Sequence, residues 1–199
     1  MKVTHEFKEI AKAWFAISIA FGILIFTSES YGFSLGISVV IAAITVGLGF
    51  VVHELSHRHF ARKFGKHAEF RANNTMLLVA IVMSFFGFII AAPGAVVISG
   101  FVSKRQGGII ASSGPAANII LALLFLPLVL VTPATSPFRD VFTIGLMINA
   151  VLATFNMIPF LGFDGKKIID WNKAVYFIMI ISAIVLTVVS WILPNFPRV

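Results

Sequence analysis

The chain has 199 residues, 59% of them hydrophobic and only 12% charged, with a formal net charge of +7 and no cysteine; its mean hydropathy is +1.00. A soluble domain carries about 25% charged residues, so this composition leaves too little polar surface for a water-soluble sphere and excludes disorder and a soluble nucleic-acid binder. The surplus of Lys and Arg reads instead against a lipid bilayer, and a metal could be held only by His and carboxylate side chains.

About 20 apolar residues cross the roughly 30 Å hydrocarbon layer. Stretches free of Asp, Glu, Lys and Arg predict five crossings, at Ala13 to Ser28, Tyr31 to Val52, Gln106 to Ser136, Val141 to Phe163 and Ala174 to Pro197. The first is short, and Lys12 can snorkel to lengthen it. It does not read as a cleaved signal, because Glu6 and Glu9 precede it and Phe26-Thr-Ser-Glu29 is a poor cleavage site. There is no internal repeat or soluble insert. The expectation is a single membrane-embedded domain over residues 1–199, with its core at 33–170 and no PDZ or regulatory domain.

A sixth charge-free stretch, Ala72 to Ser103, would be about 48 Å long as one helix, too long for one crossing and too short for two. Pro93-Gly94 matches the centre of a type II turn, and β-branched Ile89, Ile90, Val96, Val97 and Ile98 flank it. The stretch reads as a helical entry followed by a re-entrant β-hairpin over 85–100, shielded by protein or a water-filled cavity. The alternative is a Pro-kinked helix. The fold class is thus an all-α polytopic membrane protein of about five helices plus that hairpin. If the stretch returns to its own side, all of the 15 lysines and arginines except Arg139 and Arg198 fall on one face. That face is cytoplasmic by the positive-inside rule, and the N-terminus lies on it.

The chemistry begins at Val51-Val-His-Glu-Leu-Ser-His57. On a helix, His53 and His57 are one turn apart and can share one Zn²⁺, with Glu54 beside them to act on water. Ionisable groups at this depth of a crossing default to a functional reading. A third ligand is needed. The metzincin continuation fails, since Phe60 and Lys63 stand where Gly and His are required. Glu69 lies in a basic loop and Asp140 on the opposite face. Asp164 and Asp170 remain, and Asp164, which ends a charge-free run, is favoured on depth. His59 and His67 read as interfacial. Asn118 and Asn156 could hydrogen-bond the substrate backbone or an oxyanion, or could bond between helices; Asn149 reads as a packing residue.

Asn156-Met-Ile-Pro159-Phe-Leu-Gly-Phe-Asp164-Gly165 resembles the Asn-x-x-Pro-x-x-x-x-Asp-Gly motif of the site-2 protease family of intramembrane zinc metalloproteases, and His-Glu-x-x-His is that family's other hallmark. Ser113-Gly-Pro-Ala-Ala-Asn118 resembles its Gly-Pro-x-x-Asn motif. The resemblance covers roughly residues 33–170. It implies zinc on His53, His57 and Asp164, Glu54 as general base, and membrane-embedded β-structure before Gly114 near the active site; the hairpin read there would offer Val96, Val97 and Ile98 to substrate as an edge strand. Lys166 departs from the small residue common after Asp-Gly. The expected function is hydrolysis of a membrane-embedded protein substrate with one Zn²⁺ per chain. The rival is a catalytically silent zinc-binding or transport protein of the same fold.

Overall fold

The computed structural model describes residues 2–28, 31–89, 93–160 and 162–193. In chain order the elements are α1 (Lys2–Thr27), α2 (Leu35–Ala42), a π-helical turn (Ala43–Gly47), α3 (Leu48–Lys63), β1 (His67–Ala72), α4 (Asn74–Ser84), β2 (Gly94–Ser99), α5 (Lys104–Val131), α6 (Pro137–Asn156), α7 (Asp164–Trp171) and α8 (Lys173–Ile192). Among the described residues, five helical runs are long and apolar enough to cross a membrane: His5–Thr27, Leu35–Lys63, Lys104–Val131, Pro137–Asn156 and Lys173–Ile192. The second joins α2 and α3 through the π turn, a local feature often found near functional sites. The Trp14 indole of α1 donates to the Ala43 carbonyl in that turn at 3.1 Å.

Local chemistry sets the helix boundaries. Ser103 and Gln106 form a reciprocal capping box at the start of α5, which satisfies two otherwise orphan N–H groups. Asn73 and Asn172 cap α4 and α8 by accepting from Met76 N–H and Val175 N–H. Helix α5 is the hub and packs against α3, α6, α7 and α8.

The segment between α3 and α5 departs from the expected hairpin. Pro93-Gly94 is not a turn. Gly94 opens β2, and β2 pairs antiparallel with β1, Phe70 opposite Val96 and Ala72 opposite Gly94. Helix α4 fills the interval, so the helical entry is present but the strand partner lies before it. The kinked continuous helix is absent too: at 11 residues α4 is about 16 Å long, too short to cross. Gly94 serves close approach, since a Cβ there would meet the Phe70 ring, the Arg71 carbonyl and Ala72. Of the expected flanking residues, Ile89 lies in the loop after α4, and Ile90 falls outside the described residues. The pairing of His67 with Ser99 returns the chain to the level at which it left α3.

Each strand has an inner and an outer edge. On β1, Phe70 N–H donates to Glu6 at 3.1 Å, Ala72 N–H donates to Glu9 at 3.2 Å, and the Ala68 carbonyl accepts from Arg62 at 2.7 Å. These outward bonds make Ala68, Phe70 and Ala72 members of non-hydrogen-bonded pairs. In an antiparallel ladder their partners Ile98, Val96 and Gly94 then also direct N–H and C=O away from the sheet. Side chains of α1 and α3 therefore cover the far edge of β1 and leave β2 as the open edge. Glu6, 8% exposed, also pairs with Arg58 at 3.0 Å and Arg62 at 3.2 Å.

Replacing Glu6 removes the acceptor of a buried N–H and uncovers two arginines. Glu6→Ala should cost about 1–3 kcal/mol, measured by thermal unfolding, and should speed amide exchange in β1 more than in α5 and α6. Unchanged exchange at Phe70 would contradict the covered-edge arrangement.

Candidate metal centre

His53 and His57 project from one face of α3, and Asp164 is the first residue of α7. The structure brings these three together: one ligand atom from each lies within 4.8 Å of the others. The two Nε2 atoms are 3.0 Å apart, and they stand 3.4 Å (His53) and 3.1 Å (His57) from Asp164 Oδ2.

The outer nitrogens decide the protonation of the rings. His53 Nδ1–H donates to Asn118 Oδ1 at 2.6 Å, and His57 Nδ1–H donates to the Ile110 carbonyl at 2.8 Å. Ser113 Oγ donates to that same carbonyl at 2.7 Å. With each neutral ring's proton on Nδ1, both Nε2 lone pairs face each other and a carboxylate. Acceptors so arranged repel unless a cation lies between them. Donors about 2.0–2.1 Å from a tetrahedral zinc ion sit about 3.3 Å apart, close to the separations found, so the residues fit the metal.

Gly114 of α5 makes this convergence possible. A Cβ there would strike the Nε2 atoms of both His53 and His57. Glu54 lies beside the cluster. Its Oε2 is buried and has no hydrogen-bond partner among the described residues, and Val96 of β2 lines the same cleft as Glu54. A cleft of about 1380 Å³ opens onto His53, Glu54, His57 and Asp164, with β2 along one side and α1 and α6 supplying apolar walls.

The remaining expected site residues divide. Asn156 lines the cleft and is half-buried, its Nδ2 donating to the Leu152 carbonyl at 2.9 Å. Asn118 is fully buried and its amide is engaged: besides accepting from His53, it donates to the Gly49 carbonyl at 3.2 Å and to Asn149 Oδ1 at 3.0 Å. It has no donor left for substrate, and the interhelical alternative holds. Val96 and Ile98 border the cleft. Val97 does not: its side chain is 44% exposed, and it pairs with Glu69 in the register that turns its peptide groups toward β1. His59 and His67 are exposed and outside the metal group. Asp170 is held by Lys166 at 2.7 Å.

Comparison with known proteins places the chain in a class of metal-dependent hydrolases. Two relatives share the name "Putative zinc metalloprotease". MJ0611 of Methanocaldococcus jannaschii is 39% identical over 142 residues, which is 70% of this chain and 74% of that protein. YwhC of Bacillus subtilis is 30% identical over 147 residues, 64% of this chain and 66% of its own length. No family model matches the chain, and no solved structure matches it. The chain belongs to the zinc metalloprotease family of these relatives.

The ligand set generates a comparison of variants. Asp164→Ala should weaken zinc binding at least about tenfold, as should Gly114→Ala, whose added methyl occupies the space between the rings; Asp170→Ala should leave it unchanged. Zinc content after dialysis against a chelator reads all three. Normal zinc in Asp164→Ala would remove that residue from the ligand set.

Proposed function

We propose that the chain is an intramembrane protease of the site-2 type, hydrolysing peptide bonds within or near transmembrane segments of membrane proteins. The observation that carries this is the placement of the metal group. His53 and His57 lie within the apolar run Leu35–Lys63, and they open onto a cleft walled by other membrane-length helices. A substrate reaching Glu54 must come alongside those helices.

His53, His57 and Asp164 would hold the zinc, which when bound polarises a carbonyl and acidifies water toward neutrality. Glu54 supplies the proton acceptor. Its unpartnered Oε2 takes a proton from the attacking water and returns it to the leaving amine. A helical substrate hides its carbonyls in its own i→i−4 ladder and must unwind before attack. The open edge of β2 supplies replacement hydrogen bonds to the unwound segment, through Ile98 N–H and the outward carbonyls of Val96 and Ile98. Asn156 in the cleft wall offers its amide to the same segment.

Glu54→Gln should keep stoichiometric zinc and lose cleavage of a reconstituted single-span substrate by about 100-fold or more. Equal cleavage by wild type and Glu54→Gln would sink the base assignment. A silent zinc protein of the same fold would bind zinc in both forms and cleave with neither.

The edge reading makes its own forecast. Ile98→Pro removes an outward donor without breaking a β1–β2 hydrogen bond, and should raise KM for the substrate while zinc content stays normal. Val97→Pro instead breaks the ladder to β1 and should lower stability. Wild-type kinetics in Ile98→Pro would argue against substrate pairing on β2.

We further propose that the metal end faces the cytoplasm. The chain has no cysteine, so single cysteines can be placed cleanly. Those at Lys66, Arg105 and Lys167 should label from the cytoplasmic side, and one at Ser136 from the opposite side. Labelling of position 105 together with position 136 would refute this topology.

A further inference from the structure

We propose that Asn149, acting through Asn118, is a positioning residue that fixes the tautomer of His53 and so keeps its Nε2 free for metal. The inference rests on the metal reading of His53, His57 and Asp164.

The two histidines are oriented by different means. His57 donates its Nδ1–H to a backbone carbonyl, Ile110, at 2.8 Å, and a helix carbonyl cannot turn round. His53 donates to a side-chain amide, Asn118, at 2.6 Å. An amide can present either its oxygen or its NH2. If Asn118 were reversed, its NH2 would face His53 Nδ1, which would have to become the acceptor. The ring proton would move to Nε2, the atom 3.0 Å from His57 Nε2 and 3.4 Å from Asp164 Oδ2. A protonated Nε2 cannot ligate a metal.

Asn149 stands against that reversal. Its Nδ2 donates to the Gly145 carbonyl one turn earlier on α6, at 2.9 Å, which obliges its Oδ1 to face Asn118. That oxygen accepts from Asn118 Nδ2 at 3.0 Å, and the Gly49 carbonyl of α3 accepts from the same nitrogen at 3.2 Å. With both acceptors on one side of Asn118, its oxygen must point at His53. Both amides are 0% exposed, so no water can rescue a reversed arrangement, and each unmade bond there carries a full desolvation cost. A fixed carbonyl on α6 thus sets Asn149, Asn149 sets Asn118, and Asn118 sets the ligand atom of His53. The partner of a metal-bound His is commonly a carboxylate or a carbonyl; here it is an amide whose direction a second amide and the Gly49 carbonyl hold together.

The test uses the full-length chain in detergent, with zinc affinity from chelator competition and the histidine ¹⁵N spectrum of the metal-free protein as readouts. Asn149→Leu and the milder Asn149→Ala should each weaken zinc binding about 10–100-fold and raise the fraction of His53 protonated on Nε2. Unchanged affinity and tautomer in both Asn149 variants would overturn the proposal. So would weakened binding with native helix content and an unchanged His53 tautomer, the mark of a packing role alone. A wild-type chain that binds no zinc would defeat the metal reading instead, while the metal-free ¹⁵N spectrum would still report whether Asn149 governs the His53 tautomer.

Discussion

Two imidazole nitrogens with free lone pairs, 3.0 Å apart and both facing one carboxylate oxygen, are an arrangement that only a cation makes favourable. Much of the architecture follows from holding them there. The two histidines need only one turn of α3. The carboxylate belongs to α7, and the chain between must leave α3 and come back to the same level. It does so through β1, the short α4 and β2, with the two strands tied by antiparallel pairing. An up-and-back pair of long helices, α5 and α6, follows. α5 then supplies Gly114, which lets both rings approach, and Asn118, which orients one of them.

The sheet that closes the return path lies against the metal-binding helix. Its two edges are not equivalent. Glu6 and Glu9 of α1, with Arg62 of α3, satisfy the outward groups of β1, and Val96 and Ile98 of β2 border the cleft that holds Glu54. The edge left open is therefore the one beside the metal group. The same α1 carboxylate that bonds β1 pairs with Arg58 and Arg62, on the helix that carries the histidines. One side chain thereby couples the position of the sheet to the position of the metal-binding helix.

The sequence makes the locally encoded parts legible. His-Glu-x-x-His needs only the helical period to put both rings on one face, and charge-free runs mark the five long helices. Asp164 emerges from depth, a property that survives without knowing how α7 docks. Pairing was harder to read. Pro93-Gly94 looks like a turn because its local signal is a turn signal, yet Gly94 is there to admit Phe70. The true partner strand was hidden by its charges. In His67-Ala-Glu-Phe-Arg-Ala72 the alternation of Ala68 and Phe70 with polar neighbours was the available clue, and both side chains are buried. The shift in strand partner also changes the meaning of Val97, whose peptide groups turn toward β1. Asn118 could not be resolved from sequence because its partners, His53, Gly49 and Asn149, sit on two other helices.

The central claim is that two imidazoles and one carboxylate of this chain form a single zinc site. X-ray absorption at the zinc edge of the purified protein addresses it most directly. The account predicts a light-atom shell at about 2.0–2.1 Å with outer-shell scattering from two imidazole rings and no sulfur. A spectrum showing one imidazole or none, or zinc held only in an all-oxygen surface environment, would contradict it.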